Sequence, residues 1–283
     1  MEEIQEKDVS PVRLAFRTGY LGNRFYGSQM QGDERTVEGE FVAACMRSEL
    51  FSDFREARFL AAGRTDRGVH ARGQIFAFST KVPGRALSAL NWQLPDDIWV
   101  TGFAEVDAAF HPRYRALNRT YRYYFGESGL DLGAMEEAAI LFCGCHDFSR
   151  FARVVDKDPS RNVLAARIFH DDGLVCFEVT AESFLWHMVR YMAGALLQVG
   201  LGAWIPQEIE LRLTGDAVSR PLSPAPPGHL VLWDVDCGMT FSPLPALGRS
   251  GDFLKDLRDD HTVMARICTL FEKDLSPDDQ GSQ

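Results

Sequence analysis

The sequence predicts an α+β fold, an antiparallel sheet with helices packed on one side. Three observations point there. Short alternating segments read as strands, one of them rich in tyrosine. Helical periodicities fall among these strands without a regular βαβα order. Turn residues join two of the strands into a hairpin.

Val12, Leu14 and Phe16 alternate with Arg13, Ala15 and Arg17, so residues 12–20 read as a strand with one buried face. Thr36 caps a helix on which Val37, Phe41 and Cys45 share a side. Residues 58–62 and 74–80 are strands on either side of a polar, glycine-containing loop. A helix over 86–94 and a strand over 97–102 follow, then a strand over 119–125 and a helix over 132–142. Residues 164–169 and 174–180 flank Asp171-Asp172-Gly173 as a hairpin. Residues 185–199 form a long apolar helix, and Pro206 starts another that ends near Gly215. The proline-rich stretch 221–228 is a stiff connector before a last strand over 230–235. Residues 252–271 carry scattered apolar positions compatible with a helix, whereas 1–10 and 274–283 read as disordered.

A chain of 283 residues forms one large domain or two smaller ones. A weak boundary near 105–115 separates an N-terminal half, residues 11–110, from a C-terminal half, residues 111–238. Residues 239–283 form an acidic tail without an assigned role. A hydrophobic fraction of 46% with 25% charged residues excludes collagen-like, largely disordered and multi-span membrane classes. The longest apolar candidate, residues 192–205, is interrupted by Gln198 and is too short to span a bilayer. Glu2, Glu3, Glu6 and Asp8 give the N-terminus the wrong charge for a targeting signal, so the expected location is cytoplasmic.

Six cysteines are too dispersed for a disulfide framework. Cys143, Cys145 and His146 lack the second cluster that a zinc site needs, so they read as free thiols beside a histidine and no metal is expected.

The formal net charge of −10 argues at first against nucleic acid. The two termini supply most of it: residues 11–250 hold 25 bases against 28 acids. Of the 30 basic residues, 25 are arginine, the better partner for phosphate. They cluster at 55–72, 113–122 and 150–167. Clustered arginine on a nearly neutral body suits RNA binding and suits an ion-paired surface equally.

The most unusual stretch is Gly63-Arg64-Thr65-Asp66-Arg67-Gly68-Val69-His70-Ala71. Two glycines let the chain turn sharply, and Asp66 sits between Arg64 and Arg67. A carboxylate beside cations stays charged and oriented, as a nucleophile must be; an aspartate paired in a turn has the same pattern.

This stretch, continuing through Gly73-Gln74, resembles the signature of TruA-type tRNA pseudouridine synthases. Further matches follow in that family's order: Phe25-Tyr26-Gly27 with Gln29, Thr36-Val37-Glu38-Gly39-Glu40, Leu90-Asn91, and Leu94-Pro95 with Asp97-Ile98. Then come Phe110-His111-Pro112-Arg113, Arg119 with Tyr121 and Tyr123, Gly144 with His146-Asp147-Phe148, and Phe184-Leu185 with His187-Met188-Val189-Arg190. Ala225-Pro226, Leu230 and Leu232 close the series, which covers about residues 12–235.

The resemblance implies a pseudouridine synthase fold: two halves sharing a central, mostly antiparallel sheet, with helices packed on it and a cleft between. It implies an isomerase that detaches uracil from ribose and rejoins it through carbon, in the tRNA anticodon arm at positions 38 to 40. No atom is gained or lost, so no cofactor is expected. A homodimer that binds tRNA is the family's usual assembly. Asp66 takes the place of the family's nucleophile, Arg190 of the arginine paired with it, and Tyr121 of the tyrosine that stacks on the target base and helps move a proton. Arg64 takes the place of an arginine that contacts phosphate or fills the space left by the extruded base, and Leu230 of a leucine beneath the target base. His187 reads as structural. The sequence departs from the family at Ser28, where many relatives have tryptophan, at Arg67, where many have alanine, and at His229, where glycine is usual. Three other readings are a synthase acting on other tRNA positions, an RNA-binding or RNA-folding protein on the same scaffold that has lost activity, and a hydrolase using Asp66 with a second carboxylate.

Overall fold

Among the residues that the computed structural model describes (10–154, 158–215, 221–245 and 248–275), ten strands form one continuous sheet. Its N-terminal side is built from β1 (Val12–Tyr20), β2 (Leu60–Ala61), β3 (His70–Thr80) and β4 (Ile98–Val106). Its C-terminal side is built from β5 (Asn118–Phe125), β6 (Gly144–Asp147), β7 (Ser160–Asp171), β8 (Leu174–Ala181) and β9 (Leu230–Asp236). β10 (Ser242–Pro243) adds an edge beside β4. The order is β10-β4-β1-β3-β9-β5-β8-β7-β6, with β2 also paired to β3. Every pair is antiparallel except β3 with β9, where His70 faces Val231 and Ala71 faces Leu232. That parallel seam brings the loop before β3 and the connector before β9 to the same end of the sheet.

One buried face runs across the seam. Tyr20 pairs with Ala71, Ala71 with Leu232, Leu232 with Tyr121, and Tyr121 with Val179. Helices cover this face. α1 (Val37–Arg47) and α2 (Pro83–Gln93) contribute Phe41 and Leu90 to an N-terminal core with Phe16, Phe76 and Phe78. α4 (Leu132–Ile140) and α5 (Met188–Gly200) contribute Met135 and Met192 to a C-terminal core with Phe142, Phe151 and Phe177. Leu232 and Val235 belong to the N-terminal core although they lie on β9, and Val69 belongs to the C-terminal one. α3 (Pro112–Arg115) and α6 (Gln207–Leu213) are short, and α7 (Gly248–Leu275) is mostly exposed over its described side chains.

Local chemistry explains the elements. Thr36 caps α1 by accepting a hydrogen bond from the Gly39 amide at 3.2 Å. Asp172 and Gly173 both take positive φ, 49° and 86°, as a tight hairpin turn between β7 and β8 requires.

Several expectations need correction, among them the start of β7 at Ser160 rather than at 164. β3 begins at His70 rather than at 74, because its first residues pair with β9, a partner that alternation does not reveal. α5 begins at Met188 rather than at 185, because His187 is left-handed with φ 63°. Cys145 and His146 lie on β6, an unforeseen edge strand, and His146 Nε2 hydrogen-bonds the Cys143 carbonyl at 2.8 Å. Past residue 239, where the sequence assigned no role, β10 pairs with β4 and Arg249 Nε lies 3.0 Å from Asp96. The expected disorder of 1–10 and 274–283 meets a helix at residues 274–275, the end of α7; apart from these two and Ser10 it lies, like Lys157 of the third basic stretch, outside the described residues.

Candidate active site around Asp66

The loop between β2 and β3 is held from both sides. The Gly63 carbonyl accepts from the Gln74 amide at 2.9 Å, and the Ala62 carbonyl accepts from Arg119 at 3.0 Å. The Thr65 amide donates to Ser28 Oγ at 2.8 Å, the Thr65 carbonyl accepts from the Ser28 amide at 3.1 Å, and the Thr65 hydroxyl bonds the Tyr20 hydroxyl at 2.8 Å. Ser28 thus does more than replace tryptophan: it fixes the residue before Asp66. Gly68 takes φ 84°, and the Val69 amide donates back to the Asp66 carbonyl at 3.1 Å. His70 Nδ1 accepts from the Gly22 amide at 3.0 Å, which puts its proton on Nε2, where it donates to the Gly228 carbonyl at 3.0 Å. His70 therefore ties the Asp66 loop to the connector before β9.

The start of α5 forms the opposite wall. Arg190 is 13% exposed; its Nε donates to the Ala225 carbonyl at 2.8 Å and its Nη1 reaches Asp66 Oδ2 at 3.5 Å. Every partner the structure gives the Asp66 carboxylate is a donor: Arg190, the Trp186 indole at 3.1 Å and His187 Nε2 at 3.2 Å. The Asp66 side chain keeps 27% of its surface open. The hydrolase reading finds no second carboxylate among these partners.

Tyr121 lies on β5, with the Phe184 ring edge-on and centroids 5.1 Å apart. Burial pushes its hydroxyl pKa up to about 12; the Arg119 guanidinium pulls against this and the Asp66 charge adds to it. The hydroxyl is thus a neutral group within the field of the carboxylate. Leu230 is buried at the start of β9, opposite Tyr123, and the His229 ring lies 5.8 Å from the Tyr123 ring. Arg64 is exposed; its charge lowers the pKa of Glu38, which burial raises. Arg67 stacks over the Tyr26 ring at 4.1 Å. The structure therefore joins Asp66 to Arg190, places Tyr121 electrostatically close, and leaves Arg64 without direct contact to Asp66. Trp186 and His187 are the contacts that the sequence reading missed, although both sit inside the matched run that ends at Arg190.

Other donors frame the site. Arg119 also donates to the Glu182 and Arg113 carbonyls at 2.8 and 2.9 Å. Arg113, Tyr114 and Arg115 are exposed on α3. Among the described residues, no group of three His, Cys, Asp or Glu side chains converges as a metal site. No described helix is long and apolar enough to cross a membrane.

Residues 138–236 match the family model described as tRNA pseudouridine synthase. The chain is 52% identical to tRNA pseudouridine synthase A of Methanosphaerula palustris over 262 residues, covering 93% of each chain. It is 53% identical to that of Methanoculleus marisnigri over 271 residues, covering 95% of this chain and all of the relative. It is 41% identical to that of Thermococcus kodakarensis over 85% of this chain and 88% of the relative. The sheet, its helices and these matches define an isomerase of the pseudouridine synthase class. More particularly, the chain belongs to the tRNA pseudouridine synthase A family.

Proposed function

We propose that the protein converts uridine to pseudouridine in the anticodon arm of tRNA, at positions 38 to 40, with Asp66 as nucleophile. The observation that carries this reading is the Asp66 carboxylate, held on a hydrogen-bonded loop and met only by donors, Trp186, His187 and Arg190.

The reaction breaks the bond from uracil N1 to ribose C1′ and forms one from C5 to C1′. N1 gains a proton and C5 loses one, so the balance requires no cofactor. When the glycosidic bond breaks, the sugar carbon is electron-poor. A carboxylate placed against it stabilises that charge, bonds to the carbon or removes a sugar proton. Arg190 keeps the carboxylate in place, and its own bond to the Ala225 carbonyl fixes the arginine. Tyr121 offers an aromatic face to the extruded uracil and a neutral hydroxyl for moving the C5 proton. Leu230 supports the base from below, and Arg64 contacts phosphate or fills the space the base vacates.

The same reading divides the chain at 110/111 into halves, each with its own core, and assigns the site to the cleft along their seam. It takes the active species as a cytoplasmic homodimer binding one tRNA across both subunits, which sedimentation with and without tRNA tests.

Tritium release from tRNA labelled at uracil C5 tests the chemistry. Wild type releases tritium and Asp66→Asn releases none. Equal release from both assigns the nucleophile elsewhere, and no release from wild type on folded tRNA favours a binding role. Sequencing the modified uridine tests positions 38 to 40.

A further inference from the structure

An ionised carboxylate offers about four lone-pair directions, two on each oxygen. At Asp66, Oδ2 is met twice, by Arg190 Nη1 at 3.5 Å and by His187 Nε2 at 3.2 Å. Oδ1 is met once, by the Trp186 indole N–H at 3.1 Å. Oδ2 is therefore filled, and Oδ1 keeps one direction free.

Trp186 and His187 are sequence neighbours, and neighbours in extended chain point to opposite sides. Here both reach one carboxylate because His187 adopts φ 63° and ψ 4°, a conformation uncommon for a residue with a Cβ and concentrated at functional sites. The turn is held from outside. The Arg153 amide donates to the Trp186 carbonyl at 2.9 Å, and the Arg153 guanidinium sits 5.2 Å from the centre of the indole ring.

The tautomer of His187 follows from its surroundings. Its Nδ1 is buried with no hydrogen-bond partner. A proton there would be a buried, unpaired donor, and it would turn the Nε2 lone pair toward a carboxylate. The proton thus sits on Nε2, and burial lowers the ring's pKa, so His187 is a neutral donor.

We propose that Trp186 is a positioning residue for the reaction: its indole N–H fixes Oδ1 of Asp66 and makes the remaining lone pair of that oxygen the one presented to the ribose. This rests on Asp66 being the nucleophile. With 52% of its surface open, the indole also forms a solvent-facing edge of the site.

The test compares single-turnover tritium release by wild type, Trp186→Phe and Asp66→Asn. A fourth protein carries benzothienylalanine at 186, which keeps the ring shape and replaces the N–H by sulfur. Both replacements at 186 should slow release about tenfold or more, the worth of one hydrogen bond to a charged acceptor. tRNA affinity should stay within about twofold of wild type, since a positioning bond acts on the reacting oxygen and not on the RNA. The indole N–H resonance of 15N-labelled protein, assigned by its absence from Trp186→Phe, should shift in Asp66→Asn.

Wild-type rates in both replacements overturn the proposal. Faster release overturns it too, because the indole would then be a cover that the substrate displaces. A slower rate matched by an equal loss of tRNA affinity makes Trp186 a binding contact and also overturns it. Active Asp66→Asn removes the nucleophile reading itself, whereas inactive Asp66→Asn beside wild-type Trp186→Phe removes only the role of the indole.

Discussion

Arg190 is tied at two points, to the Ala225 carbonyl through Nε and to Asp66 through Nη1, a separation that the planar guanidinium fork supplies and a compact ammonium does not. Arg190→Lys keeps the charge and loses the fork. We expect single-turnover release to fall at least about tenfold with tRNA affinity little changed. Tyr121→Phe separates the ring from the hydroxyl. If the neutral hydroxyl moves the C5 proton, release falls by about a hundredfold while binding persists. A near-wild-type rate would reduce Tyr121 to a stacking surface. At this scale the sequence was informative about which side chains to watch, because Asp66 and Arg190 do meet. It was silent about Trp186, since an indole in an apolar run reads as core and its N–H partner lies 120 residues away.

α5 and the connector over 221–228 form the element pair that fixes Arg190. They approach so closely that a Cβ at Gly194 would lie 2.4 Å from the Ser223 carbonyl oxygen. Gly194→Ala must therefore push the connector off the helix and disturb the two bonds between Arg190 and Ala225. A loss of about 1–3 kcal/mol is expected from such overpacking, read as a lowered denaturation midpoint, together with slower tritium release. Removing the α1 cap with Thr36→Ala is expected to cost about 1 kcal/mol and to leave Asp66 itself in place. Strand and helix identities were legible from periodicity because one face of most elements is buried. Element ends were less so. The early start of β3 depends on β9, and the late start of α5 depends on a left-handed histidine that serves the site.

Across the whole molecule, His70 and His187 are among the groups that link folding to pH. Burial lowers the pKa of His70, with His229 adding to this and the bond to the Gly228 carbonyl opposing it. Burial likewise lowers that of His187, where Arg190 and Arg153 add and Asp66 opposes. Both groups bind protons more readily unfolded than folded. The stability they confer is full above the unfolded value of about 6.5 and is lost as pH falls through the folded values. Denaturant midpoints should therefore decline below about pH 6.5, and His70→Gln should flatten part of that decline. Exposed Arg64, Arg113, Arg115 and Arg153 give the body an electrostatic role that the net charge of −10 hides. tRNA affinity should fall steeply with salt, by roughly 0.7–0.9 of a log unit per log unit of salt for each phosphate contacted. A flat response would assign these arginines to other work, as Arg122 already pairs with Glu178 and Asp171.

By itself the sequence determined the α+β class, the ordered motifs and the loop that carries Asp66. Burial periodicity, caps and turn chemistry are local properties, and each leaves its mark within a few residues. Tertiary structure alone decided that β9 joins the two sides of the sheet beside β3, and that Trp186 and His187 reach Asp66. It also decided that β10 and the start of α7 dock on the body. Those outcomes depend on hydrogen-bond partners far apart in the chain, whose choice is settled by which buried donors and acceptors must be satisfied once the cores have packed.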